Sequence, residues 1–95
     1  VTANNQSLSQ NNVLVYPNPT TTFSFTVAGS ASTESDVDIS MYDAFGRMIY
    51  KESFSKAEFE HGALIQLKGV EPRSGVYLVA IQQGDRLVRK KIIMK

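Results

Sequence analysis

The chain contains no cysteine and no tryptophan among its 95 residues. The absence of cysteine excludes a disulfide framework, a thiolate metal site and a cysteine nucleophile. No apolar run approaches the ~18–20 residues that a membrane-spanning helix requires, and no cationic segment followed by an apolar stretch stands at the start. The chain does not begin with Met, so we expect it to be a segment of a longer precursor.

Acidic residues are absent from the last ten positions, where half of the basic residues lie. These basic residues are Arg86, Arg89, Lys90, Lys91 and Lys95. Such a terminus can steer toward an acidic protein, an anionic lipid or nucleic acid. The remaining composition, 42% hydrophobic and 20% charged, is that of an ordinary globular chain with room for one domain.

Residues 1–12 are rich in Asn, Gln, Ser and Thr, so ordering them would bury little apolar surface. This composition predicts a flexible linker, followed by one folded domain over residues 13–95. From Val13 onwards the dominant hydrophobic period is two, which is typical of strands half buried against a core. Two runs show this period: Phe23, Phe25 and Val27, and then Val37, Ile39 and Met41.

The rest of the chain predicts more short strands joined by turns. Asp43 to Gly46 has hairpin chemistry, because Asp can cap its own turn and Gly accepts a positive φ. The returning strand over 47–54 is predicted to place Met48, Tyr50 and Phe54 on one face. Residues 56–60 allow a helical turn, and strands are predicted at 64–67, at 76–82 as a central strand covered on both sides, and at 86–94. About seven such strands predict an all-β, immunoglobulin-like antiparallel β-sandwich.

Four blocks of the sequence supply candidate recognition residues. They are Tyr16, Pro17, Asn18 and Pro19; Asp43, Gly46 and Arg47; Gly75 and Tyr77; and Arg89, Lys90, Lys91 and Lys95. The two prolines predict a stiff corner at a sheet edge, since each fixes φ and removes an amide donor. Taken singly, every block also has a purely structural interpretation, as a corner, a turn, a strand entry or an edge protected by lysines.

In their order and spacing, these blocks resemble the C-terminal sorting domain of proteins exported by the type IX secretion system, in the variety often called type A. The resemblance covers residues 13–95. It rests on V-Y-P-N-P at 15–19, Y-D-x-x-G-R at 42–47, G-V-Y at 75–77 and a lysine-rich finish at 90–95. The connection before Gly75 is longer than is usual in that family, and we interpret it as a loop insertion.

The resemblance implies a secretion signal that is not an enzyme. In similar proteins the cargo crosses the inner membrane by the general pathway, and the folded terminal domain is read in the periplasm by the outer-membrane translocon and its shuttle components. A sortase-like peptidase then removes the domain, and the cargo is anchored to anionic lipopolysaccharide on the cell surface or released. For this chain we therefore expect an upstream cargo domain, cleavage near residues 1–12, no cofactor, no nucleic-acid partner and no insertion into the membrane. We also expect Lys95 to be the natural C-terminus of the precursor.

Other chemistry has little support in the sequence. His61 is the only histidine, and we place it with Glu58 and Glu60 in a predicted loop that has no nucleophile motif nearby. Asp36 and Asp38 share a strand face but fall short of the roughly six oxygens of a calcium site, so neither a catalytic nor a metal site is predicted. The alternatives are a carbohydrate-binding accessory module, which the lack of tryptophan weakens, and an inert spacer domain of a secreted enzyme.

Overall fold

The computed structural model describes residues 12–18, 20, 24–30, 35–67 and 73–95. Most of the predicted linker, Pro19, Phe23 and the interior of the predicted loop insertion lie outside the described residues. Within them, the elements are β1 (Val13–Tyr16), β2 (Ser24–Gly29), β3 (Val37–Tyr42), β4 (Met48–Phe54), α1 (Lys56–His61), β5 (Ala63–Gln66), β6 (Gly75–Gln83) and β7 (Arg86–Met94).

The strands form two antiparallel sheets. The smaller sheet has three strands in the order β1-β2-β5, and the larger has four in the order β4-β3-β6-β7. One hydrophobic cluster joins side chains of both sheets. The predicted all-β antiparallel sandwich is confirmed.

The core is built from the inward-facing residues of the alternating strands. Phe25 and Val27 enter it from the smaller sheet, and Val37, Ile39 and Met41 from the larger, each at most 1% exposed. The predicted period of two is therefore confirmed for the second run and for Phe25 and Val27 of the first. Burial of each such side chain contributes roughly 1.5–3 kcal/mol, so contact between the sheets is the main source of stability.

The position of β4 distinguishes this sandwich from constant-type immunoglobulin domains. In those domains the fourth strand belongs to the same sheet as the first, second and fifth. Here the tight β3-β4 hairpin keeps β4 in the larger sheet. The chain crosses to the smaller sheet only afterwards, through α1, and then enters β5.

A bulge in β4 changes which side chains face the core. Met41 lies opposite Tyr50 and Tyr42 opposite Met48, so Ile49 is an extra residue in the ladder. Met48 consequently points outward and is 50% exposed, whereas Ile49 packs against the core. The prediction that Met48 shares a face with Tyr50 and Phe54 is wrong, because one extra residue reverses the alternation.

β6 lies between β3 and β7, as predicted for a central strand, but the described residues cover only one of its faces. Tyr77, Val79 and Ile81 are buried on the inner face. On the outer face Val76 is 49% exposed and Leu78 is 36% exposed. The prediction of cover on both sides is therefore wrong, because the smaller sheet packs against one face only.

The segment after β4 forms helix α1, which confirms the helical turn allowed over 56–60. Ser55 is its N-cap: the Ser55 hydroxyl accepts a hydrogen bond from the Glu58 amide at 3.1 Å, and the Glu58 carboxylate accepts one from the Ser55 amide at 2.8 Å. Phe59 anchors the helix with a fully buried ring. The predicted loop setting of Glu58, Glu60 and His61 is thus wrong.

Across the described ranges, no helix has the length and apolar character needed to span a membrane.

Gly29 is predicted to be intolerant of a larger side chain, because α1 packs closely over the end of β2. A Cβ at this position would lie 2.5 Å from the carbonyl oxygen of Asn12 and 2.9 Å from the ring of Phe59. We expect Gly29→Ala to lower the free energy of unfolding by about 1–3 kcal/mol, measured by urea denaturation. The control is Ser30→Ala at the exposed neighbouring position, and equal stability of the two variants would contradict the packing described.

Candidate recognition site

The β3-β4 turn is held by the side chain of Asp43. One of its carboxylate oxygens accepts hydrogen bonds from the amides of Phe45 and Arg47, each at 2.9 Å, and the other accepts one from Arg47 Nε at 2.9 Å. The Gly46 amide donates to the Asp43 carbonyl at 3.0 Å, and Gly46 has a φ of 83°, a conformation that favours glycine. The predicted cap by Asp43 and positive φ at Gly46 are confirmed.

The tip of this hairpin presents an aromatic ring to solvent. Phe45 is 85% exposed, and the guanidinium carbon of Arg47 lies 5.7 Å from the centre of its ring. A cation over an aromatic face at this distance is attracted to it. Asp43 positions Arg47 by an ion pair and the backbone of Phe45 by a hydrogen bond, so the turn places the two residues side by side. Sequence reasoning missed Phe45, although its position in a hairpin loop, outside both strands, was a signal that it could not reach the core.

The corner after β1 lies against the outer edge of β7. The Asn18 side-chain amide donates to the Lys91 carbonyl at 2.9 Å, and its oxygen accepts from the Ile93 amide at 3.0 Å. Thr20 continues this pairing: its amide donates to the Ile93 carbonyl and its carbonyl accepts from the Lys95 amide, each at 2.9 Å. The first and last motifs of the sequence are therefore joined directly.

Thr20 also connects the corner back to the smaller sheet. Its hydroxyl donates to the carbonyl of Ser24 at 2.8 Å, and the residue is only 1% exposed. The connection between β1 and β2 thus leaves one sheet, pairs with Met94 at the edge of the other, and returns. As predicted, the corner lies at a sheet edge, although that edge belongs to β7.

Tyr77 fixes the approach to β6. Its ring is 8% exposed, and its hydroxyl donates to the Arg73 carbonyl at 2.6 Å while accepting from the Arg73 amide at 2.9 Å. This is the geometry of a tyrosine corner in immunoglobulin-like sandwiches, where a Tyr near the start of the sixth strand bonds to backbone a few residues upstream. Tyr77 therefore fixes, from the core side, the backbone that leads into β6.

The four motifs meet at one end of the larger sheet. Gly75 lies opposite Met94, the hairpin tip follows the Tyr42–Leu78 pair, and Thr20 pairs with Met94. We call this end the motif pole: residues 17, 18, 20, 43–47, 73–76 and 91–95. A depression of about 420 Å³ between the hairpin tip and the start of β6 is lined by Phe45, Arg47, Arg73 and Val76, among others.

The basic residues of β7 do not form one surface. The strand alternates, with Val88, Ile92 and Met94 buried on the inner side. Lys90 falls on that inner side and is half buried, whereas Arg89 and Lys91 fall on the outer side and are exposed, as is Lys95 beyond the strand. The pleat therefore divides the basic patch expected from sequence between two faces.

The described residues contain no group of three or more His, Cys, Asp or Glu side chains that could hold a metal ion. Asp38 lies in β3 and accepts a hydrogen bond from the Ser53 hydroxyl, while Asp36 precedes the strand. His61 is exposed at the end of α1. The arrangement at the motif pole is thus one of exposed aromatic, basic and backbone groups on a rigid support, which suits recognition by a partner.

The family comparison agrees with this geometry. The family model of the secretion system C-terminal sorting domain matches residues 14–95. The chain belongs to this family. A search of the curated proteins found no match.

Membership makes the chain a sorting domain of type IX secretion, as the sequence motifs implied. Such a domain interacts with the type IX machinery, and its cargo is exported to the cell surface or beyond the cell. The family is one of sorting signals rather than catalysts. In this sorting domain the matched segment contains every residue of the seven strands except Val13, and every described part of the motif pole.

Asn18 is predicted to stabilise the edge of β7 through both of its side-chain hydrogen bonds. We expect Asn18→Ala to lower the free energy of unfolding by about 1–2 kcal/mol, since each bond contributes roughly 1 kcal/mol. Asn18→Asp should also destabilise the domain, because a carboxylate cannot donate to the Lys91 carbonyl. Urea denaturation measures both, with Ser74→Ala as an exposed control at the same pole. Wild-type stability in both Asn18 variants would be the contrary result.

Asp43 is predicted to titrate below the usual range of a carboxyl group. The hydrogen bond from the Arg47 amide lowers its pKa most; desolvation opposes this, and the Phe45 amide and the Arg47 guanidinium lower it further. Because the folded pKa is depressed, the stabilisation is present above the unfolded value of about 3.9 and is lost as pH falls through the folded pKa. Carboxyl carbon NMR should follow this titration, and a midpoint at or above the unfolded value of about 3.9 would contradict the prediction.

Proposed function

We propose that this domain is a cleavable sorting signal for a cargo domain that precedes it. The type IX translocon and its shuttle components read the folded domain in the periplasm, and a sortase-like peptidase then removes it. The cargo is left on the cell surface, attached to anionic lipopolysaccharide, or is released. The domain itself has no catalytic role, needs no cofactor, does not insert into the membrane and binds no nucleic acid.

The observation that carries this proposal is the convergence of the four family motifs at the motif pole. Hydrogen bonds from Asn18 and Thr20 join the first motif to the last, and the depression beside Arg47 brings the second motif next to the third. A partner can therefore contact all four at once, but only when the domain is folded. This supports a signal that is inspected as a shape.

The motif residues divide into two groups by their proposed part in this role. One group positions the backbone and loops of the pole: Asn18, Asp43, Gly46, Gly75 and Tyr77. The other group contains the candidates for direct contact, which are the exposed side chains of Arg47, Lys91 and Lys95, together with Tyr16, Pro17, Pro19, Arg89 and Lys90. A sugar-binding platform has less support, because the exposed rings of Tyr16 and Phe45 lie on different surfaces: β1 carries Tyr16 on the smaller sheet, and the hairpin tip carries Phe45.

The cleavage segment is proposed to lie within residues 1–12, ahead of the domain over 13–95. Asn12 joins the sandwich where its carbonyl accepts a hydrogen bond from the Ser30 amide at 3.2 Å. This point is at the Val13–Gly29 end of the smaller sheet, away from Tyr16 and the corner. A peptidase acting before Asn12 would thus leave the folded unit whole.

Fusion of residues 1–95 to the end of a fluorescent reporter with a signal peptide tests the sorting role in a cell that has the type IX apparatus. We expect the reporter at the cell surface or in the medium, and retention in the periplasm would contradict the proposal.

Deletion of residues 89–95 should abolish export, since it removes most of β7. The N-terminus of the released domain should map within residues 1–12, and a site beyond Thr22 would contradict the proposed cleavage.

A combined Lys90→Ala, Lys91→Ala and Lys95→Ala variant separates folding from recognition in the same assay. If the machinery reads these charges, the variant stays folded, as judged by urea denaturation, but export falls. Normal export of the folded variant would show that the lysines are not what the machinery reads.

A further inference from the structure

The charges of the described residues are distributed unevenly along the sandwich. At the motif pole, Asp43 is the only acidic residue in the described part, and it is paired with Arg47. Arg73, Lys91 and Lys95 are exposed there. The motif pole is therefore positive.

The other end is acidic. We call it the opposite pole: residues 12, 13, 35–37, 54–60 and 83–86. Its acidic residues are Asp36, Glu58, Glu60 and Asp85, which Lys56 and Arg86 offset only in part. The two poles are separated by the length of β7, nine residues or about 26 Å.

Apolar exposure is also found at the motif pole. The ring of Phe45 is 85% exposed, more than any other large hydrophobic side chain of the described residues. Val76, 49% exposed, lines the adjoining depression together with the guanidinium-bearing Arg47 and Arg73. The turn fixes the backbone that carries this ring, Arg47 lies over the ring, and Arg73 lines the same depression. A protruding aromatic side chain on a fixed backbone has the character of an interface anchor.

From these observations we propose that the domain docks end-on, with Phe45 inserted in an apolar pocket of a protein whose rim carries carboxylates. The acidic opposite pole, where the chain enters at Asn12 and Val13, then faces away from the receptor and toward the cargo. This rests on the proposed sorting function and specifies the partner chemistry of its site. The unequal charge of the poles would orient the domain before contact, because complementary fields steer association.

Charge and shape favour a protein receptor over an anionic lipid surface. A lipid surface selects a broad basic face, but the pleat of β7 divides its cations between two sides, with Lys90 on the inner side and Arg89 and Lys91 on the outer. By contrast, the protruding ring of Phe45 and the depression beside it suit a protein partner of defined shape.

Matched pairs of variants in the reporter fusion test this docking mode. Phe45→Ser and Arg73→Glu change the motif pole. Leu64→Ser, at a side chain that is 54% exposed on the smaller sheet, and Arg86→Glu, at the opposite pole, are the controls. We expect export to fall about tenfold or more for the first two, as for loss of an interface anchor, and to be unchanged for the controls. Urea denaturation of the purified domains verifies that all four are folded.

The outcomes separate the two proposals. If the wild-type reporter is not exported, the sorting function fails. If it is exported and the folded Phe45→Ser and Arg73→Glu variants are exported equally well, the end-on docking mode is overturned while the sorting function stands. Flotation of the wild-type domain with vesicles of phosphatidylglycerol and phosphatidylcholine tests the lipid alternative. No binding is expected, and vesicle binding by the wild-type domain together with unchanged export of Phe45→Ser would overturn the protein receptor in favour of an anionic lipid.

Discussion

The pairing of the β1-β2 corner with the edge of β7 is the constraint on which the rest of the motif pole, the proposed recognition surface, depends. A last strand at the edge of a sheet has unpaired amides and carbonyls along its outer side. Here Asn18 and Thr20 bond to those groups from Lys91 to Lys95. The beginning of the domain therefore holds its end in place, and the motifs at both ends of the sequence form one structure.

The stability of the sandwich and the geometry of the motif pole depend on largely different residues, with Tyr77 common to both. The core contains side chains such as Phe25, Ile39 and Val79, which bury apolar area. The motif pole is built from turn and edge contacts around Asp43 and Asn18, which contribute little burial but fix backbone geometry. This division would suit the proposed recognition site, because the motif pole stands on a rigid support.

Much of the fold could be predicted from local sequence, because alternation in β2 and β3 and the turn chemistry of Asp43 and Gly46 act over a few residues. The capping box of Ser55 and Glu58 was also readable, since its spacing is a known helix start. The bulge at Ile49 was not, because it depends on how β4 aligns with β3. The open face of β6 was not predictable from local sequence either, since cover by a second layer is a property of the whole fold.

The site was predictable as a set of motifs and not as a surface. No local rule shows that Asn18 bonds to Lys91 and Ile93, because the contacts join residues more than seventy positions apart in the chain. Amide hydrogen exchange of the folded domain tests this pairing directly. The account predicts that the amides of Ile93 and Lys95 exchange as slowly as those of the central strand β6. Exchange of both at the rate of an open strand edge would contradict it.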